Sequence, residues 1–236
     1  MNILNELIHG RGYCLVKADE VICLDRIRQH LLDISIKDGN IDGVKSIDEL
    51  REKITTLPES DINSLNIKLS ACHDFSALLI NAFSGSVRKL GGGELFLQRR
   101  SHVMFNTSDP RHTRAMSHFD GMSGISPFTF TIWIPAHDLH DNSGMWVLDQ
   151  DASMQLVERE GESQRAKGKD FISMDDLEPL KINFGTGLIF NPFVMHGAYS
   201  HDGALARIGV STRFQSRSKP LFIRNSEFYY PYDLKV

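Results

Sequence analysis

The glycine triplet Gly91-Gly92-Gly93 divides the sequence into two stretches of different periodicity, and that division constrains the fold more than any other feature. Ahead of it, apolar residues recur at the three- and four-residue spacing of helices. Gly12-Tyr13-Cys14-Leu15-Val16 is the exception, a short strand. Asp19 follows as an expected N-cap for a helix whose stripe runs through Val21, Leu24, Ile27, Arg28, Leu31 and Leu32. Ser46-Ile47-Asp48-Glu49 has the form of a capping box, and its helix should stop before Pro58. A third helix is expected from about Asp74 through Leu90, with Phe75, Leu78, Leu79, Ala82 and Phe83 inward. The triplet ends it by supplying the left-handed backbone that helix termini favour.

Beyond the triplet the pattern becomes that of strands. Leu95 to Phe105, Phe128 to Ile134, Met145 to Leu148, Leu188 to Phe190 and Ile208 to Phe214 all favour β structure. Within Phe128 to Ile134, Thr129, Thr131 and Trp133 share one face, and Phe128, Phe130, Ile132 and Ile134 the other. The polar stretch from Glu158 to Asp170 reads as a solvated loop, with a cover over a site as the alternative. The aromatic tail Phe228-Tyr229-Tyr230-Pro231-Tyr232 reads as a packed terminus or, alternatively, a lid. The expected plan is one domain over 1–236: a mainly helical support at 1–93, a mostly antiparallel β core at 94–216, and a tail at 217–236.

Charge and composition remove several functions. The 26 Lys and Arg against 30 Asp and Glu give a net charge of -4, so no broad basic surface invites nucleic acid. No apolar run approaches the roughly 18 residues that span a bilayer, and Met1 to Leu15 lacks the apolar centre of a signal peptide. Three cysteines, Cys14, Cys23 and Cys72, read as reduced thiols, the usage of a cytoplasmic protein.

Chemistry concentrates in Ser117-His118-Phe119-Asp120. On an extended edge, residues i and i+2 point to the same side, so His118 and Asp120 can offer an imidazole nitrogen and a carboxylate oxygen to one ion. His196, in Asn191-Pro192-Phe193-Val194-Met195-His196-Gly197, is the candidate third ligand. Two histidines and one carboxylate on one side of an ion leave its other positions open, an arrangement that suits nonheme Fe(II) oxygenases. Arg207 lies eleven residues beyond His196 and opens a strand. If 2-oxoglutarate chelates the iron through its keto and C1 carboxylate oxygens, Arg207 offers a planar fork for the far carboxylate. Gly209, Ser211 and Arg213 share its strand face; Ser211 can add a hydroxyl to that carboxylate. Arg213 either meets an anionic or polyhydroxylated substrate or makes a surface ion pair. Thr131 and Trp133 would line the pocket, although interior packing explains Trp133 equally well. His102 points inward with Gln98 and Arg100, as a site wall or as simple burial. His137-Asp138 and His140-Asp141 read as solvated loop residues.

Taken together, these residues resemble the Fe(II)/2-oxoglutarate-dependent oxygenases of the phytanoyl-CoA dioxygenase-like superfamily. The pattern is His118-x-Asp120, Trp133-Ile134-Pro135, Asp141-Asn142-Ser143-Gly144-Met145, Gly187-Leu188-Ile189-Phe190, His196-Gly197 and Arg207. It runs from roughly Glu94 to Ser216, and Gly12 to Leu32 is similar to the family's N-terminal strand and helix. His118 through Phe128 and Arg213-Phe214-Gln215-Ser216 resemble, more closely, small bacterial oxygenases of sporadically distributed carbohydrate-biosynthesis clusters, which include a relative from streptomycin biosynthesis. The resemblance implies a double-stranded β-helix of jelly-roll, cupin-like form. It implies Fe(II) on His118, Asp120 and His196, 2-oxoglutarate on Arg207, O2 as co-substrate, and a sugar or sugar-derived substrate. Two positions depart from the family: Gly185-Thr186-Gly187 replaces a common Gly-Asp, and Ala198 stands two after the distal histidine, where a hydroxyl residue sometimes helps bind the co-substrate. Related halogenases have a small residue where this chain has Asp120, so hydroxylation is expected over halogenation. Two other classes stay open: a non-catalytic small-molecule-binding barrel, and a cupin-type metal-dependent isomerase.

Overall fold

The structure, a computed structural model, describes residues 2–39, 41–107, 118–140, 145–164, 179–198, 205–222, 224 and 226–234, with the backbone alone at 159–164 and 226. In chain order the elements are α1 (Ile3–His9), β1 (Tyr13–Lys17), α2 (Val21–Lys37), α3 (Ile47–Thr56), α4 (Glu59–Ser70), α5 (Asp74–Ala82) and α6 (Ser84–Gly91). Then come β2 (Glu94–Gln98), β3 (His102–Asn106), β4 (Phe130–Pro135), β5 (Met145–Val147), α7 (Gln150–Gln164), β6 (Thr186–Phe190), β7 (His196–Ala198), β8 (Arg207–Ser216) and β9 (Tyr229–Asp233).

Alternation along β4 and β8 sets the layers. Phe130, Ile132 and Ile134 of β4, with Ile208, Val210 and Phe214 of β8, join the large apolar core that the helices cover. Thr131, Trp133, Ser211 and Arg213 turn the other way, into an interior cavity. The larger sheet has the order β1-β6-β4-β8-β2-β9, and β3 pairs with the first half of β8; β5 and β7 form the smaller sheet. Every pairing is antiparallel. This is the jelly-roll arrangement that the resemblance implies, and among the described residues its larger sheet stays open. The first and last strands, β1 and β9, come from outside the 94–216 stretch and complete the sheet at its two ends.

The helical layer differs from its sequence reading at instructive places. Leu24, Ile27, Leu31 and Leu32 of α2 are buried as the stripe requires, while Val21 is exposed. Arg28 reaches across to the sheet instead, its Nε donating to the Ala136 carbonyl at 2.7 Å and its guanidinium lying 3.3 Å over the Phe184 ring. Asp19 does not cap α2; its carboxylate accepts from the Gly85 amide at 2.8 Å and caps α6. The single helix expected over 74–90 is two, broken at Phe83 (φ -118°, ψ 33°). Phe83 is fully buried against Gly187, where a Cβ would stand 2.7 Å from the ring, so the kink drives an aromatic into the sheet at a position only glycine leaves open. Ser46 accepts from the Glu49 amide as a capping box requires, but Glu49 reaches back to the Lys45 amide rather than that of Ser46. Helix α4 went unassigned in the sequence, although Ile62, Leu65 and Leu69 form its buried stripe.

Two β-region expectations also change. Leu95 to Phe105 is not one unbroken strand: β2 and β3 run in the same direction along β8 and are interrupted at Arg99–Ser101, where Ser101, Ser76 and Thr212 form a buried hydroxyl chain (2.8 and 2.9 Å). The Glu158 to Asp170 loop begins as the last turns of α7, up to Gln164; its remaining residues lie outside the described ones, as do Ser117 and Asp141 to Gly144.

Candidate metal centre

The site is assembled by backbone before any side chain is considered. His118 and His196 form an isolated antiparallel bridge, each amide donating to the other's carbonyl at 3.0 Å. Two residues on, Asp120 opens a 3-10 turn, Asp120–Ser123, whose Gly121 amide donates to the Pro192 carbonyl at 2.9 Å. The segment 118–121 is therefore stitched at two points to the segment 192–196. This brings the three predicted ligands together: their ligand atoms all lie within 4.8 Å of one another. The imidazole centroids are 4.4 Å apart, and His118 Nε2 is 3.9 Å from Asp120 Oδ1.

Each ligand is oriented by a further contact. His196 Nδ1 donates to the Val194 carbonyl at 3.0 Å, which fixes the tautomer and leaves the Nε2 lone pair for an ion. Phe190 packs against that ring, with centroids 4.5 Å apart. Asp120, 2% exposed, is gripped on both oxygens. Arg213 donates from Nη2 to Oδ1 at 2.6 Å and from Nε to Oδ2 at 3.0 Å, and the Thr131 hydroxyl donates to Oδ2 at 2.5 Å. Two donors fill Oδ2, whereas Oδ1 keeps a lone pair, so this carboxylate has one oxygen to offer a cation.

The electrostatics suit ligation. Burial alone would raise the Asp120 carboxyl, but the Arg213 charge, His196 and the hydrogen bonds from Arg213 and Thr131 hold it well below the usual carboxylate range. Burial pushes His196 down to about 4, with Asp120 opposing and His118 adding to the fall, so the ring stays neutral, as a ligand must. His102 is likewise pushed down to about 4, by desolvation and then by Arg213, although the residue as a whole is exposed.

A cavity of about 450 Å³ opens over the triad. Its walls include Trp133, Ser211, Arg213, His102 and apolar Met145 and Phe190. Of the predicted residues, Thr131 and Arg213 both hold Asp120, a pairing that a separation of 93 residues hides in the sequence for Arg213, which also lines the cavity. Gln98 bonds His102, Nε2 to Nε2 at 3.0 Å, and lines a second, adjoining cavity. Arg207, 2% exposed, lines a third space of about 260 Å³ that shares His102, Met104 and Ala198 with the first. Its Cζ lies 6.0 Å from the Trp133 ring. The indole Nε1 is buried without a hydrogen-bond partner among the described residues. It lies beside Gly209, where a Cβ would come within 2.7 Å.

His137 corrects its sequence reading. It is 5% exposed rather than solvated. Nδ1 donates to the Asp138 carbonyl at 2.8 Å, and Nε2 accepts from the Ile208 amide at 3.2 Å, beside Arg207. His140 is exposed, as expected. Sequence reasoning missed Arg224, Met145 and Phe190 as cavity walls; nothing local marks them, because distant segments bring them to the site.

No family model and no curated protein matches the chain. Solved structures do. A nickel complex of the non-heme monooxygenase ThoJ superposes with a TM-score of 0.58 at 11% identity, covering 98% of this chain and 89% of that one. The non-heme alpha ketoglutarate dependent carbocyclase SnoK from nogalamycin biosynthesis gives 0.55 at 14%, covering 97% and 94%. HygX from Streptomyces hygroscopicus, with nickel and 2-oxoglutarate bound, gives 0.56 at 11%, covering 92% and 87%. At such identities the likeness establishes the fold. No helix among the described residues is long and apolar enough to cross a membrane.

Proposed function

We propose that this chain is an Fe(II)- and 2-oxoglutarate-dependent oxygenase of the phytanoyl-CoA dioxygenase-like kind, hydroxylating a small molecule. The observation that carries this reading is the convergence of His118, Asp120 and His196 on one cavity, with a buried arginine, Arg207, lining the space next to it. The donor set fits ferrous iron: two imidazoles and one carboxylate, with an open side toward the cavity. ThoJ, SnoK and HygX, which share the fold, are a monooxygenase, an alpha ketoglutarate dependent carbocyclase and a protein solved with 2-oxoglutarate. A sugar or sugar-derived substrate, in a cytoplasmic setting, is part of the proposal.

Bound there, iron with 2-oxoglutarate and O2 supplies oxidative attack on an unactivated C–H bond. The chain's own residues do the rest. His118, Asp120 and His196 would hold the metal, while Arg213 and Thr131 fix the orientation of the Asp120 carboxylate. Arg207 would take the far carboxylate of 2-oxoglutarate, with the Ser211 hydroxyl as a further donor. Met145 and Phe190 keep water from the reacting face.

Anaerobic titration with Fe(II) and 2-oxoglutarate tests this directly. The expected result is a visible charge-transfer band and, on admitting O2, succinate; both disappear in His118→Ala and Asp120→Ala. A silent titration leaves the non-catalytic barrel, and turnover indifferent to 2-oxoglutarate leaves the isomerase. Product mass then separates hydroxylation from ring closure or epimerisation.

A further inference from the structure

Beside the metal cavity lies a second one of about 380 Å³, and the two share His102, Ser123 and Arg213 as a common wall. Three arginines line this outer space: Arg100, Arg213 and Arg224. Arg213 is neutralised by Asp120. Arg100 and Arg224 are exposed and form no ion pair among the described residues, and no acidic side chain lines the cavity there. Two uncompensated guanidinium groups on one concavity make a site for an anion, because each offers a planar fork of donors matched to carboxylate or phosphate oxygens.

Two independent features show that this concavity is built rather than incidental. Arg224 is tied to the metal site: its amide donates to the Gly124 carbonyl at 3.0 Å, and Gly124 (φ +72°) closes the turn that begins at Asp120. The Arg224 main chain is thus anchored to the turn that carries Asp120. In addition, Gln98, 7% exposed and lining the same cavity, buries its Oε1 with no hydrogen-bond partner among the described residues. A buried acceptor left unmatched by protein calls for a donor from a ligand, and a hydroxyl is the simplest one. Phe228, half exposed on the rim, adds an apolar face.

We infer that the outer cavity binds the substrate's anionic end, a phosphate or carboxylate gripped by Arg100 and Arg224, while Gln98 accepts from a neighbouring hydroxyl and the carbon to be oxidised reaches through the shared wall to the metal. This rests on the proposed function only for the last clause; the anion site itself does not require the metal.

The test uses the full chain in the presence of a chelator, titrated calorimetrically with glucose 6-phosphate, glucuronate, glucose and inorganic phosphate. The expected result is binding of at least one charged sugar at least ten-fold tighter than glucose, weakened as salt is raised. The stronger of the two sugars tells which anion the site takes. The double substitution Arg100→Gln with Arg224→Gln removes at least ten-fold of that affinity, and both positions are exposed, so folding is not at issue. Gln98→Leu weakens the charged sugar and leaves inorganic phosphate unchanged. Equal or absent binding of charged and neutral sugars overturns the inference, and so does wild-type affinity in the double variant, which would place the anion on Arg207. Because no metal is present, a failure of 2-oxoglutarate turnover leaves this result standing, and the reverse also holds.

Discussion

Arg213 and Asp120 meet as fork and carboxylate, with Nη2 2.6 Å from Oδ1 and Nε 3.0 Å from Oδ2. The pair is almost wholly enclosed, so removing one member strands the other. Arg213→Met should lower the stability of the metal-free protein by about 3–5 kcal/mol. Added Ni(II) should then raise the melting temperature of the variant less than that of the wild type, because burial lifts the unpaired Asp120 carboxyl toward its protonated form and Arg213 no longer holds its orientation. Thermal melts with and without nickel check this; an unchanged metal-free melt would refute it.

Gly209 leaves the space that the Trp133 indole occupies, since a Cβ there would lie 2.7 Å from Nε1. Gly209→Ala should cost about 1–3 kcal/mol by overpacking. It should also raise the KM for 2-oxoglutarate with a smaller effect on kcat, as the indole shifts relative to Arg207. Near-ultraviolet circular dichroism reports the tryptophan displacement independently of turnover.

His137 makes stability depend on pH. Its folded-state value is pushed down to about 4, by burial first and then by Arg51, from 6.5 when unfolded. The unfolded chain therefore binds the proton more readily, and the stability present above pH 6.5 is lost as pH falls toward 4. Between pH 7.5 and 5 the loss from this one group is about 2 kcal/mol. Protonation also puts a second donor against the Ile208 amide. Chemical denaturation across that range should show the decline, and His137→Gln, which can still accept from Ile208, should make it shallower.

Arg28 fastens helix α2 to the sheet through one hydrogen bond and one stacked ring, to Ala136 and Phe184. Arg28→Ala should cost about 2 kcal/mol, which for a chain of this size is a fall of roughly 4–8 °C in melting temperature. Arg28→Lys should recover only part of it, because an ammonium lacks the planar face that lies on Phe184.

The His118–Asp120 pair and the face assignment of β4 were readable from sequence because both rest on local geometry. His118 and Asp120 are two residues apart, and Thr131 and Trp133 alternate with Phe130 and Ile132. What sequence hid was pairing at a distance. Asp19 is followed closely by a helix, yet it caps one that begins 65 residues later, because Phe83 breaks the chain there. His137 sits in a polar run but is drawn under β8 by the Ile208 amide. Arg213 has the look of a substrate-facing cation until the 3-10 turn at Asp120 swings a carboxylate against it. In each case the partner is set by how the sheet folds over, which no window of neighbouring residues contains.

The reciprocal amide–carbonyl bonds between His118 and His196 have a kinetic meaning. Because main chain rather than the cation fixes how the two rings approach, the socket is finished before its occupant arrives.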